Sequence, residues 1–215
     1  MISPFIVNAD GVYDKNLFLD RYPAGQVNRA LVAWDSADEY LINYVIEQNL
    51  TDSQHSLLIY NDNFGAITAN FTQSKVTTVS DSWVSEQGLK YNLEQNGLSL
   101  NNVTQLSSLD NLPENITVVL YKIPKSKSLM IDQLLSIKAK YDQKLIFIAA
   151  DKAKDIHSST LKLFEKYLGT TKTSLAVKKA RLVSVIPLNF VWSSGNIFSR
   201  SNSTGVNRLK PLSET

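Results

Sequence analysis

The stretch from Ser56 to Phe71, SLLIYNDNFGAITANF, decides the fold of this chain. Its first part, Leu57 to Tyr60, is a short apolar run, which is typical of a strand buried on both faces of a parallel sheet. A polar turn follows, and the sequence from Gly65 onward predicts the start of a helix. A strand, a tight turn with a glycine and a helix N-terminus form the first part of a nucleotide-type βαβ unit.

The turn of this unit lacks most of the glycines that a cofactor site needs. In an active site several glycines let backbone amides approach the ligand closely. Asn61 and Asn63 stand where two of those glycines are expected, and only Gly65 is present. The sequence therefore predicts the architecture of a cofactor domain without its binding turn.

Predicted strands and helices alternate on both sides of this unit. Upstream, residues 17–23 predict an edge strand that ends at Pro23. Asp35 or Ser36 is predicted to cap a helix whose apolar stripe runs to Val45, and Ser36 and Glu39 have the spacing of a capping box. Downstream, strands are predicted at residues 75–80, 103–106, 116–121 and 145–150, and the last two contain nearly unbroken apolar runs. A helix between the last two is expected to turn Leu134, Leu135 and Ile137 inward.

The last predicted elements change the pattern. Residues 173–177 and 180–186 predict an antiparallel hairpin joined by Lys178 and Lys179. The whole pattern indicates an α/β fold with a doubly wound, mostly parallel sheet and an antiparallel edge hairpin, which is the Rossmann-like layout of class I methyltransferases. Residues 1–192 form the predicted domain, and the Ser- and Asn-rich residues 193–215 are expected to be a linker or tail.

Composition limits the possible functions. The 215 residues are 43% hydrophobic and 20% charged, which is ordinary for a globular protein. The absence of cysteine excludes disulfides and thiolate chemistry, and two histidines argue against a metal site. No apolar run approaches the ~20 residues of a membrane span, and no signal peptide is recognisable. We expect a cytoplasmic protein that binds neither a metal nor a membrane.

Charge is divided unevenly along the chain. Residues 1–114 carry a net charge of −9, with 5 Lys and Arg against 14 Asp and Glu, whereas residues 115–215 carry +11, with 17 against 6. This division favours a basic surface for a polyanion such as nucleic acid. The alternative is a solvated surface with scattered lysines.

The basic residues follow strands that are predicted to be neighbours. Because ligands of such sheets lie at the carboxyl ends of the strands, lysines in these loops are placed to meet phosphates. The predicted RNA-binding residues are Lys122, Lys125, Lys127, Lys152, Lys154, Lys178, Lys179 and Arg181.

Two polar residues end the strand after the central unit. An acidic residue there can bind a ribose, and Asp81, next to Ser80, is the best remaining candidate for a cofactor contact. We favour the alternative that Asp81 caps or begins the following helix.

Several ordered blocks of sequence carry a resemblance to a known family. They are LDRYP at 19–23, AWDSADEYL at 33–41, NDNFGA at 61–66, KAKDIHSSTL at 152–161, KKARL at 178–182 and NIFSR at 196–200. On these blocks the chain resembles the N-terminal half of the ribosomal RNA guanine-N2 methyltransferases of the RlmG and RsmC kind.

The resemblance implies a parent enzyme with two similar halves, acting on 23S, large-subunit ribosomal RNA. Its C-terminal half would bind S-adenosylmethionine and carry an Asn-Pro-Pro-Phe catalytic loop. Its N-terminal half would be a degenerate copy that binds RNA and the catalytic half. We expect this chain to be that N-terminal half, without the catalytic domain and without a cofactor of its own.

Residue by residue, the resemblance transfers no catalytic or cofactor-binding residue. Asn61, Asn63 and Gly65 fall on the three turn glycines, and Ser80 falls on the ribose acid with Asp81 one place away. Residues 122–125 fall on the catalytic loop and retain only its third residue, as Pro124. Three interpretations stay open: an RNA-holding module, a purely structural half, and a stand-alone methyltransferase with an atypical cofactor loop.

Overall fold

A seven-stranded mixed sheet with helices on both faces forms the centre of the fold. The computed structural model describes residues 2–9, 12–25, 31–141 and 145–187. The elements in chain order are β1 (Ile2–Ala9), β2 (Val12–Phe18), α1 (Ser36–Glu47), β3 (Ser56–Tyr60), α2 (Ala66–Asn70), β4 (Lys75–Val79), α3 (Trp83–Gln95), β5 (Val103–Leu106), β6 (Val118–Lys122), α4 (Lys127–Lys140), β7 (Ile146–Lys152), α5 (Ser158–Tyr167), β8 (Gly169–Thr173) and β9 (Ala180–Pro187).

The strand order of the sheet is β5-β4-β3-β6-β7-β9-β8. The five strands from β3 to β7 are parallel, and β9 is antiparallel to both of its neighbours. This arrangement confirms the predicted fold class. The carboxyl ends of β3 to β7 and the beginning of β9 share one edge of the sheet, which we call the carboxyl rim. The opposite edge is called the amino rim.

The central strand β3 is apolar on both faces because helices cover both. Leu57 and Ile59 pack into one buried cluster with residues of α1, α2 and α3. Leu58 and Tyr60 pack into a second cluster with residues of α4 and α5. A continuous apolar run is what a strand with two covered faces requires, so the prediction from residues 57–60 is confirmed.

Helix α1 begins at a capping box, which confirms Asp35 as one of the two predicted caps but gives it a different partner. Asp35 is the N-cap: its Oδ1 accepts hydrogen bonds from the backbone N–H groups of Ala37 and Asp38, at 2.9 and 3.1 Å. Asp38 Oδ2 accepts one in return from the Asp35 N–H, at 2.8 Å. The predicted box of Ser36 and Glu39 is therefore wrong by one residue, because a carboxylate one position earlier takes the same role.

The segment predicted as an edge strand at residues 17–23 is not one. Strand β2 ends at Phe18 and pairs only with β1, in a separate two-stranded sheet. The backbone of Phe18 and Asp20 is bonded instead by side chains of α3: Asn96 contacts the N–H and C=O of Phe18 at 2.7 Å each, and Asn92 contacts those of Asp20 at 2.9 Å each. Asparagine amides thus take the place of a neighbouring strand.

Two further predictions need correction. The hairpin at the edge is real, but its first strand is β8, which ends where the predicted strand began, and Leu175 is 66% exposed. Strand β8 has the sequence GTTKT and lacks an apolar run, so hydrophobicity could not reveal it.

In α4, Leu134 and Ile137 are buried, whereas Leu135 is 47% exposed. The predicted tail at residues 193–215 lies outside the described residues.

Candidate functional site

Asn61 directly follows the central strand β3, at the position where a turn glycine was expected. Its φ of 61° is a left-handed conformation that glycine adopts freely and asparagine tolerates. Its Nδ2 donates to the C=O of Lys122 at 2.9 Å and to Gln133 Oε1 at 3.1 Å, and Gln133 Nε2 donates to Asn61 Oδ1 at 2.9 Å. Tyr121 OH also donates to Gln133 Oε1, at 2.7 Å. This amide pair connects the carboxyl ends of β3 and β6 with α4.

Lys122 lies beside this pair in a buried ion pair with the start of α1. Its Nζ is 2.8 Å from an oxygen of Asp35 and 2.8 Å from an oxygen of Asp38, and the residue is 7% exposed. The prediction that Lys122 is available to phosphates is therefore wrong: two carboxylates already hold its ammonium group. A strand-end lysine facing an acidic helix N-terminus, Asp35-Ser36-Ala37-Asp38, was the signal that could have revealed this.

The charges of this cluster perturb one another. Burial raises the pKa of Asp38 to about 6. The positive charge of Lys122 acts in the opposite direction, and repulsion from Asp35 and Asp62 raises the pKa further. Burial also acts on Asp35, but Lys122 and backbone hydrogen bonds hold its pKa below the usual value. Burial opposes charge on Lys122, yet Asp38 and Asp35 outweigh it and raise its pKa. Lys122 is therefore charged across the physiological pH range.

The rest of the turn serves the packing of α2 and α3. Asp62 is buried and accepts hydrogen bonds from the N–H and hydroxyl of Thr68, at 2.8 and 2.9 Å; burial nevertheless raises its pKa. Gly65 has a φ of 78°, and a Cβ there would lie 2.5 Å from Leu89 Cδ1 on α3. Asn63 is exposed. Gly65 thus permits a close approach of two helices.

Ser80 and Asp81 connect neighbouring loops. Asp81 Oδ1 accepts a hydrogen bond from the N–H of Ser108, at 2.7 Å, which joins the loops after β4 and β5. Ser80 Oγ accepts one from the N–H of Ser82 at 3.2 Å, and Ser82, not Asp81, is the N-cap of α3. The favoured interpretation of Asp81 as a helix cap is therefore wrong.

A cavity of about 220 Å³ lies at the carboxyl ends of β4 and β5. Three carboxylates line it, from Asp62, Glu86 and Asp110, together with the hydroxyls of Thr78 and Ser80. It is smaller than the ~300–1,000 Å³ of typical ligand pockets.

The remaining predicted basic residues meet at the carboxyl rim. The N–H of Ile123 donates to the C=O of Ala150, and the N–H of Ala153 donates to the C=O of Lys179, which joins three loops side by side. Six exposed lysines lie on these loops and the adjoining strand and helix ends; we call them the basic rim: Lys125, Lys127, Lys152, Lys154, Lys178 and Lys179. Lys178 pairs with Glu39 at 2.6 Å. The other five form no ion pair with any described residue.

Arg181, the remaining predicted basic residue, lies next to the basic rim but is less exposed than its lysines. It lies opposite Asp151 in the β7–β9 ladder and its side chain is half-buried. Its buried Nε has no hydrogen-bond partner among the described residues. Tyr121 and Phe164 are buried in a ring cluster with Phe147, so neither of the two is available to stack on a base.

The described residues show neither a candidate metal site nor a membrane-spanning helix. They contain no group of three or more His, Asp or Glu side chains arranged to hold a metal ion. Each helix in the described ranges is too short or too polar to cross a bilayer.

Solved structures place the fold among methyltransferases. The T. Thermophilus 16S rRNA methyltransferase RsmC, in complex with AdoMet and guanosine, superposes with a TM-score of 0.57 and 16% identity over 85% of this chain and 50% of that one. An rRNA methylase from Streptococcus thermophilus superposes with a TM-score of 0.52 and 13% identity. The match covers 68% of this chain and 95% of that one. At these identities the similarity concerns the fold alone, which is the class I methyltransferase type.

Sequence comparison is more specific. A ribosomal RNA large subunit methyltransferase G from Colwellia psychrerythraea is 63% identical over 188 residues, which are 85% of this chain and 47% of that protein. The Vibrio vulnificus protein of the same name is 48% identical over 80% of this chain and 45% of that protein. The chain thus spans about half the length of these relatives. A family model described as the RLMG N-terminal domain matches residues 10–189. This chain therefore belongs to the RLMG N-terminal domain family.

Proposed function

We propose that this chain is the non-catalytic, RNA-holding N-terminal part of an S-adenosylmethionine-dependent methyltransferase that modifies guanine N2 in large-subunit ribosomal RNA. The relatives named ribosomal RNA large subunit methyltransferase G support the reaction class. This chain matches about half the length of those relatives, which leaves room in them for a catalytic half. In this proposal the cofactor binds in that other half.

The filled carboxyl rim carries the non-catalytic part of the proposal. Ligands of open α/β sheets bind in the crevice outside the carboxyl ends of the strands. Here the Asn61–Gln133 amide pair and the Lys122 ion pair lie at the ends of β3 and β6. A cofactor would have to displace them, leaving buried amide and charged groups unpaired, which is costly.

The basic rim supports the RNA-holding part. Ammonium groups that neutralise phosphates release counterions, and this supplies most of the sequence-independent affinity for RNA. Lys127 is the first residue of α4, where a positive charge opposes the helix dipole. Helix stability therefore does not explain this lysine. A phosphate at the same place would be attracted both by the lysine and by the helix N-terminus.

The experiment measures the affinity of the chain for a single-stranded ribosomal RNA fragment at several salt concentrations. The rim variant K125Q/K127Q/K154Q removes three exposed lysines. The matched control K75Q/K138Q/K166Q removes three exposed lysines at or near the amino rim. We expect salt-dependent binding whose log–log slope falls by about 2 in the rim variant, at ~0.7 per phosphate contact, and little in the control. A chain that does not bind RNA would instead favour the purely structural half.

A further inference from the structure

Lys178 and Lys179 occupy a turn that lysine disfavours. Their φ angles are 47° and 66°, and Val177 and Ala180 exchange two backbone hydrogen bonds of 2.8 Å around them. This is a two-residue hairpin turn with both central residues left-handed. Such turns strongly favour Asn-Gly, Asp-Gly or Gly-Gly, because the Cβ of other residues crowds the backbone.

Elsewhere the chain uses residues suited to this conformation. The other non-glycine residues with positive φ, among those that the structure describes, are Asn49 and Asn61. Asparagine is the residue that tolerates the left-handed region best after glycine. Two adjacent lysines at the hairpin turn are therefore an exception to the chain's own pattern.

A second unfavourable feature follows directly. Arg181 comes two residues after Lys179, and its buried Nε lacks a hydrogen-bond partner among the described residues. Backbone strain and unsatisfied polar groups persist where function requires the residues concerned. Here they coincide with three cationic side chains within four residues.

The turn is fixed beside other lysines of the basic rim. The C=O of Lys179 accepts a hydrogen bond from the N–H of Ala153 at 2.8 Å, and Lys152 is the ladder partner of Ala180. The turn therefore holds its two lysines next to the loop that carries Lys154. Lys179 is exposed without an ion pair in the described part of the chain, and Lys178 is 69% exposed despite its pairing with Glu39.

We propose that Lys178 and Lys179 form a phosphate clasp: the two residues bind adjacent RNA phosphates together with Lys152, and they are retained in the turn against its conformational cost. This inference rests on the proposed RNA-holding function and adds the element that carries it. The ion pair with Glu39 is a weaker explanation, because Lys178 is 69% exposed within it, so that solvent screens the attraction, and because the pair does not involve Lys179.

The test separates charge from turn conformation in the full 215-residue chain. K178N/K179G removes both charges and supplies the preferred turn residues. K178Q/K179Q removes both charges and keeps residues that disfavour the turn conformation. K178R/K179R keeps both charges and also keeps residues that disfavour the turn. The matched control K138Q/K166Q removes two exposed lysines from the last turns of α4 and α5 at the amino rim.

Opposite effects on stability and binding are expected. K178N/K179G should raise the melting temperature by about 2–4 °C and lower the log–log salt slope of RNA binding by about 1.4. K178Q/K179Q should lower the slope equally without the rise in melting temperature. K178R/K179R and the control should keep the wild-type slope. E39Q should strengthen RNA binding at low salt, because it frees Lys178.

Each contrary outcome identifies what is wrong. An unchanged slope in K178N/K179G, with a lowered slope in K125Q/K127Q/K154Q, would overturn the clasp and leave the proposed function standing. A wild-type chain without salt-dependent RNA binding would overturn both. A melting temperature that does not rise in K178N/K179G would refute retention against a conformational cost. Weaker RNA binding in E39Q would refute the role given to Lys178.

Discussion

Lys122 is held between Asp35 and Asp38 at 2.8 Å from each, in the interior of the carboxyl rim. At the scale of residues, this pair gives the clearest prediction. Lys122→Ala should lower the free energy of unfolding by about 3–5 kcal/mol, because it leaves buried carboxylates without a counter-charge. Urea denaturation measures this loss. Lys125→Ala, on the exposed side of the same loop, should change it by less than ~0.5 kcal/mol.

Asp38 should make stability depend on pH. Its pKa is about 6 in the folded chain against an ordinary value of 3.8, since burial opposes its charge. Between these values the folded state keeps a proton that the unfolded state has lost, so this contribution to stability falls as pH rises. The difference in free energy of unfolding, wild type minus Asp38→Asn, should therefore decrease from about pH 4 to about pH 6 and then level off. A difference that grows with pH over this window would contradict the assignment.

Gly65 combines a positive φ with a close contact, and Gly97 separates the two effects. Gly65→Ala should cost roughly 2–5 kcal/mol, since a Cβ would lie 2.5 Å from Leu89 Cδ1 in addition to the backbone strain. Gly97→Ala, at a φ of 65° with nothing within 4 Å, should cost only the strain of about 1–2 kcal/mol. Equal losses in thermal or urea denaturation would show that the contact with α3 is unimportant.

At the scale of elements, α3 holds the N-terminal segment through two asparagines four residues apart. Asn96→Ala should destabilise the chain by about 2 kcal/mol, because the N–H and C=O of Phe18 lose their partners. Asn101→Ala, exposed in the following loop, serves as the control and should change stability by less than ~0.5 kcal/mol. If both variants unfold at the same urea concentration, the amide contacts do not hold this segment.

The elements also show what the sequence could reveal. The predictions located β3, β4, β5, β6 and β7 closely. For β3, β6 and β7 the reason is that strands buried on both faces are continuously hydrophobic. Strand β8 was assigned wrongly because it is a polar edge strand, and edge pairing leaves no hydrophobic period. The segment at residues 17–23 was assigned wrongly because its backbone is bonded by side chains, which leave no hydrophobic period either. Buried polar residues at helical spacing, such as Asn92 and Asn96, were the signal for the second case.

At the scale of the whole molecule, the sheet separates the acidic and basic parts of the chain. Strands β3 to β5, from residues 1–114, lie on one side of the order, and β6 to β9, from residues 115–215, on the other. Helix α1 is the exception: it packs on β7 and β9 and brings Asp35, Asp38 and Glu39 to the basic side. The predicted basic surface therefore loses Lys122, while six exposed lysines of the basic rim remain.

The candidate site could be predicted only in outline. The loops identified the rim on which the lysines meet, whereas the absence of a cofactor turn at Asn61 and Asn63 stays a prediction. The partners of Asn61 and Lys122 come from residues 72 positions later and 87 positions earlier in the chain. Contacts at such separation leave no local pattern, so the sequence alone could not pair Asn61 with Gln133, whereas the acidic start of α1 was a signal for the partners of Lys122.

The central claim is that the chain keeps the fold of a methyltransferase while its own side chains occupy the cofactor position. Isothermal titration calorimetry of the intact chain with S-adenosylmethionine tests this most directly, with thermal denaturation confirming that the sample is folded. The account predicts no heat of binding at micromolar cofactor concentration. A dissociation constant in the micromolar range would contradict it and would favour a stand-alone enzyme with an atypical cofactor loop.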